Sequence, residues 1–263
     1  MKRLLPVLAT VCTLVAALTF SSSPASAAGG INLSWTDCGA SGAADRTFSC
    51  LNNTGSNVLV GSYVTPSPLD SLNGNEIVMD IITSADPLPD WWKMGSGITF
   101  CRAVTAQSSS FDFTGSWVNC IDIWAGQALG GFGYEINPVH PGGGGAPFTN
   151  QSRRARWKIV CAIASVNAVP ADSALELYSF RMTINNTKTV GTGLCAGCLT
   201  PGCIVLNQIR ITENQFSRYG AFIMTNAPPG GRRMVTWQGG AGADCNLVPT
   251  KNRTWGQVKS LYR

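Results

Sequence analysis

Cys195-Ala196-Gly197-Cys198 has the spacing of a redox dithiol, in which a helix N-terminus lowers the pKa of the reactive thiolate. Here the flanks are Gly191-Thr192-Gly193 and Pro201-Gly202, and the segment that follows reads as a strand, so the helix is missing. Zinc held by these two cysteines with Cys203 and Cys245 fits on ligand type. Disulfides are the stronger expectation for all four. His140 is the only histidine and lies in the rigid Pro138-Val139-His140-Pro141 stretch. A Ser-His-Asp triad would need it, but no Gly-x-Ser-x-Gly elbow positions a nucleophile, and an exposed loop histidine is expected.

Asp80 and Asp122 each sit inside an apolar, strand-like run, Met79-Asp80-Ile81 and Ile121-Asp122-Ile123. Two carboxyls at a set separation are all a glycosidase requires, although strands turned outward account for them equally well. Trp91, Trp92 and Trp124, with Trp117 nearby, could stack on sugar rings; core packing is the competing reading. Asp86 and Asp90 lack a calcium-loop spacing. The sequence calls for no catalytic residue, no metal and no cofactor.

Elements must position these residues, and the chain begins with one that does not belong to the fold. Lys2 and Arg3 precede an apolar run to Phe20, and Ala25-Ser26-Ala27 closes the segment. That is the layout of a secretory signal peptide over residues 1–27, with no membrane insertion expected after cleavage. A formal charge of +5, two units of it in the leader, is too small and too evenly spread to argue for nucleic acid.

Charged residues make up 13% of the chain, against 29 glycines and 14 prolines, which favours strands joined by irregular loops. Period-two alternation recurs. Tyr178, Phe180, Met182 and Ile184 are expected on one face of a half-buried strand, and Trp157, Ile159 and Cys161 on the face opposite Arg154, Arg156 and Lys158. Further strands are expected at 57–64, 76–83, 98–104, 116–124, 131–136, 203–212, 218–225 and 234–238. The fold class is therefore all-β, a β-sandwich or jelly roll of about a dozen strands. Thr254 and Gln257 form a capping box for a short C-terminal helix. Pro141 to Gly145 is the strongest breaker; a single domain over 28–263 is preferred to two halves split near 141–150.

Cys12 lies in the leader, which leaves an odd number of cysteines for an oxidising compartment. The disulfide candidates are Cys38, Cys50, Cys101, Cys120, Cys195, Cys198, Cys203 and Cys245. Cys38 with Cys50 and Cys101 with Cys120 are the plausible local pairs, and the last four would supply two more bridges. Each loop is worth on the order of 3 kcal/mol in the chain-entropy model. Cys161, among apolar neighbours, is the expected inert thiol.

The run Ile184 to Cys198, the segment Cys203-Ile204-Val205-Leu206-Asn207 and the ending Thr254 to Arg263 resemble a group of secreted, cysteine-containing, β-rich bacterial proteins with no assigned activity. The likeness covers mainly the second half of the chain. It implies export from a bacterial cell and carries no catalytic residue over. The reading that follows is a secreted, non-catalytic binding or structural module at the cell exterior. Carbohydrate or a cell-surface protein are the partner classes that fit. The alternatives are a carbohydrate-binding protein or glycoside hydrolase with paired carboxylates, and, on the dithiol spacing, a periplasmic thiol oxidoreductase.

Overall fold

The computed structural model describes residues 29–113, 120–140, 148–214, 221–243 and 245. The leader, Trp117, the Pro141 to Gly145 run and the helix expected at 254–261 lie outside them. The protein is all-β: strands take up 46%, short helical turns 9%, and no described helix reaches seven residues. No described helix is long and apolar enough to cross a membrane.

Fourteen strands follow in order. They are β1 (Gly30–Trp35), β2 (Asp45–Arg46), β3 (Ser56–Val64), β4 (Leu69–Thr83), β5 (Met94–Gly95), β6 (Arg102–Ala103) and β7 (Gln107–Ser110). After them come β8 (Leu129–Ile136), β9 (Arg154–Ala162), β10 (Val169–Ala171), β11 (Glu176–Asn185), β12 (Gly202–Glu213), β13 (Ala221–Met224) and β14 (Met234–Trp237). One sheet runs β1-β3-β11-β7 and the larger one β2-β14-β12-β4-β9-β8, with β10 against β4 and β13 against β12. Both sheets take strands from either side of the glycine run: β3 pairs with β11, and β4 with β9 and β12.

Alternation on β4 and β9 turns one face of each into the core. Ile77, Met79 and Ile81 join Ala155, Trp157, Ile159 and Cys161 in one apolar cluster. Ile31, Leu33, Leu59, Phe180, Met182 and Ile184 from the smaller sheet belong to the same cluster. On the other face of β9, Arg154 and Arg156 depart from the wet side expected of them. Both are buried against Asp80, and the Phe148 ring lies 3.8 Å from the Arg154 guanidinium.

β11 also departs from its simple pattern. The register shifts between Tyr178 and Phe180, leaving Ser179 as an extra residue. That insertion sends Leu177 and Phe180 to the main core, while Tyr178 packs with Val60, Phe113, Cys38 and Cys120 in a separate cluster. Tyr178 stacks on Phe113 with centroids 4.2 Å apart.

The expected strand at 116–124 is absent from its described part. Residues 122–125 form a turn, because the Asp122 carboxylate accepts backbone N–H groups from Phe113, Trp124 and Gly126. Of the expected 98–104 strand only β6 forms, while β1, β7 and β10 are strands with no expectation from the sequence.

The four disulfides correct the local pairings. Cys38 joins Cys120, not Cys50, and Cys101 joins Cys195, not Cys120. Cys50 joins Cys198, and Cys203 joins Cys245. The reason is tertiary: after β1 the chain leaves Cys38 over Tyr178 and Phe113, where Cys120 also lies, then carries Cys50 on to the loop between β11 and β12. Cys161 is the one described cysteine outside a disulfide, and it is buried.

Candidate binding groove

The loop from Asn186 to Pro201 joins β11 to β12 and carries the Cys-x-x-Cys motif. Its course is fixed locally. Cys195 donates its N–H to the Lys188 carbonyl at 2.8 Å, and Leu194 to that of Gly191 at 3.2 Å. Lys188, Gly191, Gly193 and Gly197 all have positive φ. Gly197 is required twice over: φ is +110°, and a Cβ there would lie 2.2 Å from Pro89 Cβ.

Long-range contacts then bolt the loop to the core. The Ala196 carbonyl accepts from Trp91 N–H at 2.9 Å, and the Trp91 indole donates to Thr189 Oγ1 at 3.0 Å. Trp237 donates its indole N–H to the Cys198 carbonyl at 2.8 Å. Arg102, next to Cys101, donates to the carbonyls of Trp91 and Asn185 and lies 3.9 Å over the Trp91 ring. Burial lowers the Arg102 pKa to about 10. Two disulfides complete the frame, Cys50–Cys198 and Cys101–Cys195, across sequence separations of 148 and 94 residues.

The frame encloses an open groove of about 530 Å³. Its polar side chains are Ser84, Thr200 and Thr189, the last buried with its hydroxyl bonded to Trp91 and the Asn186 carbonyl; its apolar walls include Ala196, Pro201 and the exposed Leu194 (52%) and Leu199 (70%). Among the described residues the lining has no carboxylate, imidazole or amine, and its cysteines, Cys50, Cys195 and Cys198, are all oxidised. Such a surface can bind by shape, apolar contact and hydroxyl hydrogen bonds.

Of the described residues expected to carry chemistry, only Cys195 and Cys198 lie in the groove. Cys195 and Cys198 do not pair with each other, so no dithiol exists to cycle, and no metal-binding group of His, Cys, Asp or Glu forms among the described residues. Trp91, Trp92 and Trp124 are not ligand-stacking platforms: their exposures are 0%, 0% and 5%. Trp91 and Trp92 sit around Trp237, with centroids 5.0 and 5.1 Å from it, and Trp124 donates to the Leu72 carbonyl at 3.3 Å. Flat indoles go to the core, where each buries a large apolar area.

Asp80 and Asp122 do not form a carboxylate pair in one cleft. Asp80 is fully buried and held by two arginines, and Asp122 serves as the acceptor for a turn. His140 is exposed, and its main-chain carbonyl accepts from Arg156 at 2.5 Å. Leu194, Leu199, Thr189 and Ser84 gave no signal of their own in the sequence. The glycines of Gly191-Thr192-Gly193 and Gly197 were the legible hint that this loop holds an unusual shape.

No protein-family model matches the chain, and comparison with curated proteins finds no match. The resemblance to secreted bacterial proteins rests on the quoted residues alone.

Proposed function

We propose that this is an exported, non-catalytic binding module: a β-sandwich over residues 28–263, released from a signal peptide and braced by disulfides. It engages an uncharged ligand in the groove between Leu194 and Leu199. The observation that carries the reading is the groove lining, in which oxidised sulfur, alkyl groups and hydroxyls meet with no ionisable side chain among the described residues. Support for the sandwich comes from the single apolar cluster fed by both large sheets. Support for export comes from the four disulfides, which persist in oxidising compartments, and from the leader pattern. Two cross-links hold the groove walls together, which lowers the ordering cost of binding.

The test is a screen of the mature protein against glycan and peptide arrays, repeated with Leu194→Asp/Leu199→Asp. A neutral ligand whose retention falls at least tenfold in the variant supports the groove. Ligands bound equally by both proteins, or turnover of any arrayed substrate, would refute it.

A further inference from the structure

We infer that β8 is an association edge through which two copies of this chain pair, continuing the larger sheet across a two-fold axis. The inference starts from how the other edges are treated. Exposed strand edges invite pairing with another chain, and folds blunt them by shortening or covering. The outer side of β1 is covered: Ile31, Leu33 and Trp35 donate their N–H groups to the carbonyls of Asn226, Arg232 and Ala43 at 2.7 to 2.9 Å. The edge segments β2, β7, β10 and β13 are two to four residues long. β8 runs for eight residues, with β9 on one side and no described strand on the other.

The ladder shows which groups are left over. Asn137 N–H bonds to the Arg154 carbonyl in continuation of the β8–β9 register, so the odd-numbered residues of β8 exchange hydrogen bonds with β9. Gly130, Phe132, Tyr134 and Ile136 therefore turn their main-chain N–H and C=O outward, and no described residue meets these groups with a backbone hydrogen bond. They recur about every 7 Å, a spacing that an extended polypeptide matches.

Side chains favour a second copy as that polypeptide. Phe132, Tyr134 and Ile136 line one face of the edge and are only partly buried. Gly131 and Gly133 lie on the other, where an added Cβ would meet nothing within 4 Å. Glu135 is the one ionisable acid on the strand, and Lys158 neutralises it at 2.9 Å, so an identical edge approaches without like-charge opposition. With Phe132 facing itself across the axis, Gly131 meets Gly133 of the second copy and Glu135 meets Leu129. About six backbone hydrogen bonds form in this isologous register.

Sedimentation velocity of the mature protein across a concentration series tests this, with Gly131→Lys/Gly133→Lys as the variant. Its lysines enter open space at non-positive φ, so the monomer fold should persist, as read by near-ultraviolet circular dichroism. The expected result is a dimer whose dissociation constant rises at least tenfold in the variant. Hydrogen exchange on the unmutated protein is the second readout, with the amides of Phe132, Tyr134 and Ile136 slowing as concentration rises. A monomer at every concentration overturns the proposal. So does a dimer indifferent to the lysines, or one that leaves those amides in fast exchange.

Discussion

Asp80 and Arg156 face each other across adjacent strands and make a two-pronged ion pair, Nε to Oδ1 at 2.7 Å and Nη2 to Oδ2 at 2.9 Å. Arg154 adds a third contact to the same carboxylate at 3.0 Å. One buried acid is therefore shared by two buried guanidiniums, with Phe148 stacked over them and the His140 carbonyl taking a remaining Arg156 donor. Asp80→Asn keeps the shape and removes the charge. Breaking a buried pair from one side costs about 3–5 kcal/mol, so an unfolding free energy lowered by that much is expected, read as a lower urea midpoint at unchanged slope. A midpoint within experimental error of the wild type would show that the pair is a surface contact.

Trp91→Ala and Trp92→Ala should each act on stability rather than on ligand retention. Both rings are fully buried beside Trp237, and truncating a core tryptophan costs about 3–5 kcal/mol. Thermal melts of the single variants check this; a variant that melts like the wild type but loses a sugar ligand would restore the stacking role.

Cys161 lies in the core, and burial pushes its thiol up to about 12 from 9.0. The folded state therefore keeps the proton where the unfolded chain has lost it. This contribution to stability is full below pH 9 and declines as pH climbs toward 12. Comparing wild type with Cys161→Ala cancels the tyrosines that shift in the same direction. The difference in unfolding free energy should shrink by about 1.4 kcal/mol per pH unit above 9. A difference that stays constant from pH 8 to 10 would contradict a buried thiol, as would rapid alkylation of the native protein.

Gly197→Ala tests the motif from its backbone. A residue with Cβ at φ +110° is strained, and the Cβ would overlap Pro89. A loss of at least about 1–2 kcal/mol is expected, with weaker retention of any groove ligand. Unchanged stability would mean that the loop is loosely held.

These effects divide along the line of what one strand can reveal about itself. The alternation of Trp157, Ile159 and Cys161 against Arg154, Arg156 and Lys158 was legible, because the side-chain period of a strand is local. That Arg154 and Arg156 are nonetheless dry was not, because it depends on Phe148 and Asp80 arriving from other parts of the chain. Tyr178 was misplaced by one inserted residue, Ser179, since a bulge reverses the faces beyond it without any break in composition. Cysteine pairing is likewise tertiary: Cys50 and Cys198 are 148 residues apart, and nothing near either names its mate. The groove followed from those pairings, so it was invisible to the sequence for the same reason.

Peptide mapping of the native, non-reduced protein by mass spectrometry tests the account most directly. The cross-links expected are Cys38–Cys120, Cys50–Cys198, Cys101–Cys195 and Cys203–Cys245, with Cys161 recovered as a thiol. A Cys195–Cys198 bond, or both of those residues recovered reduced, would dissolve the frame of the groove and return the motif to redox chemistry.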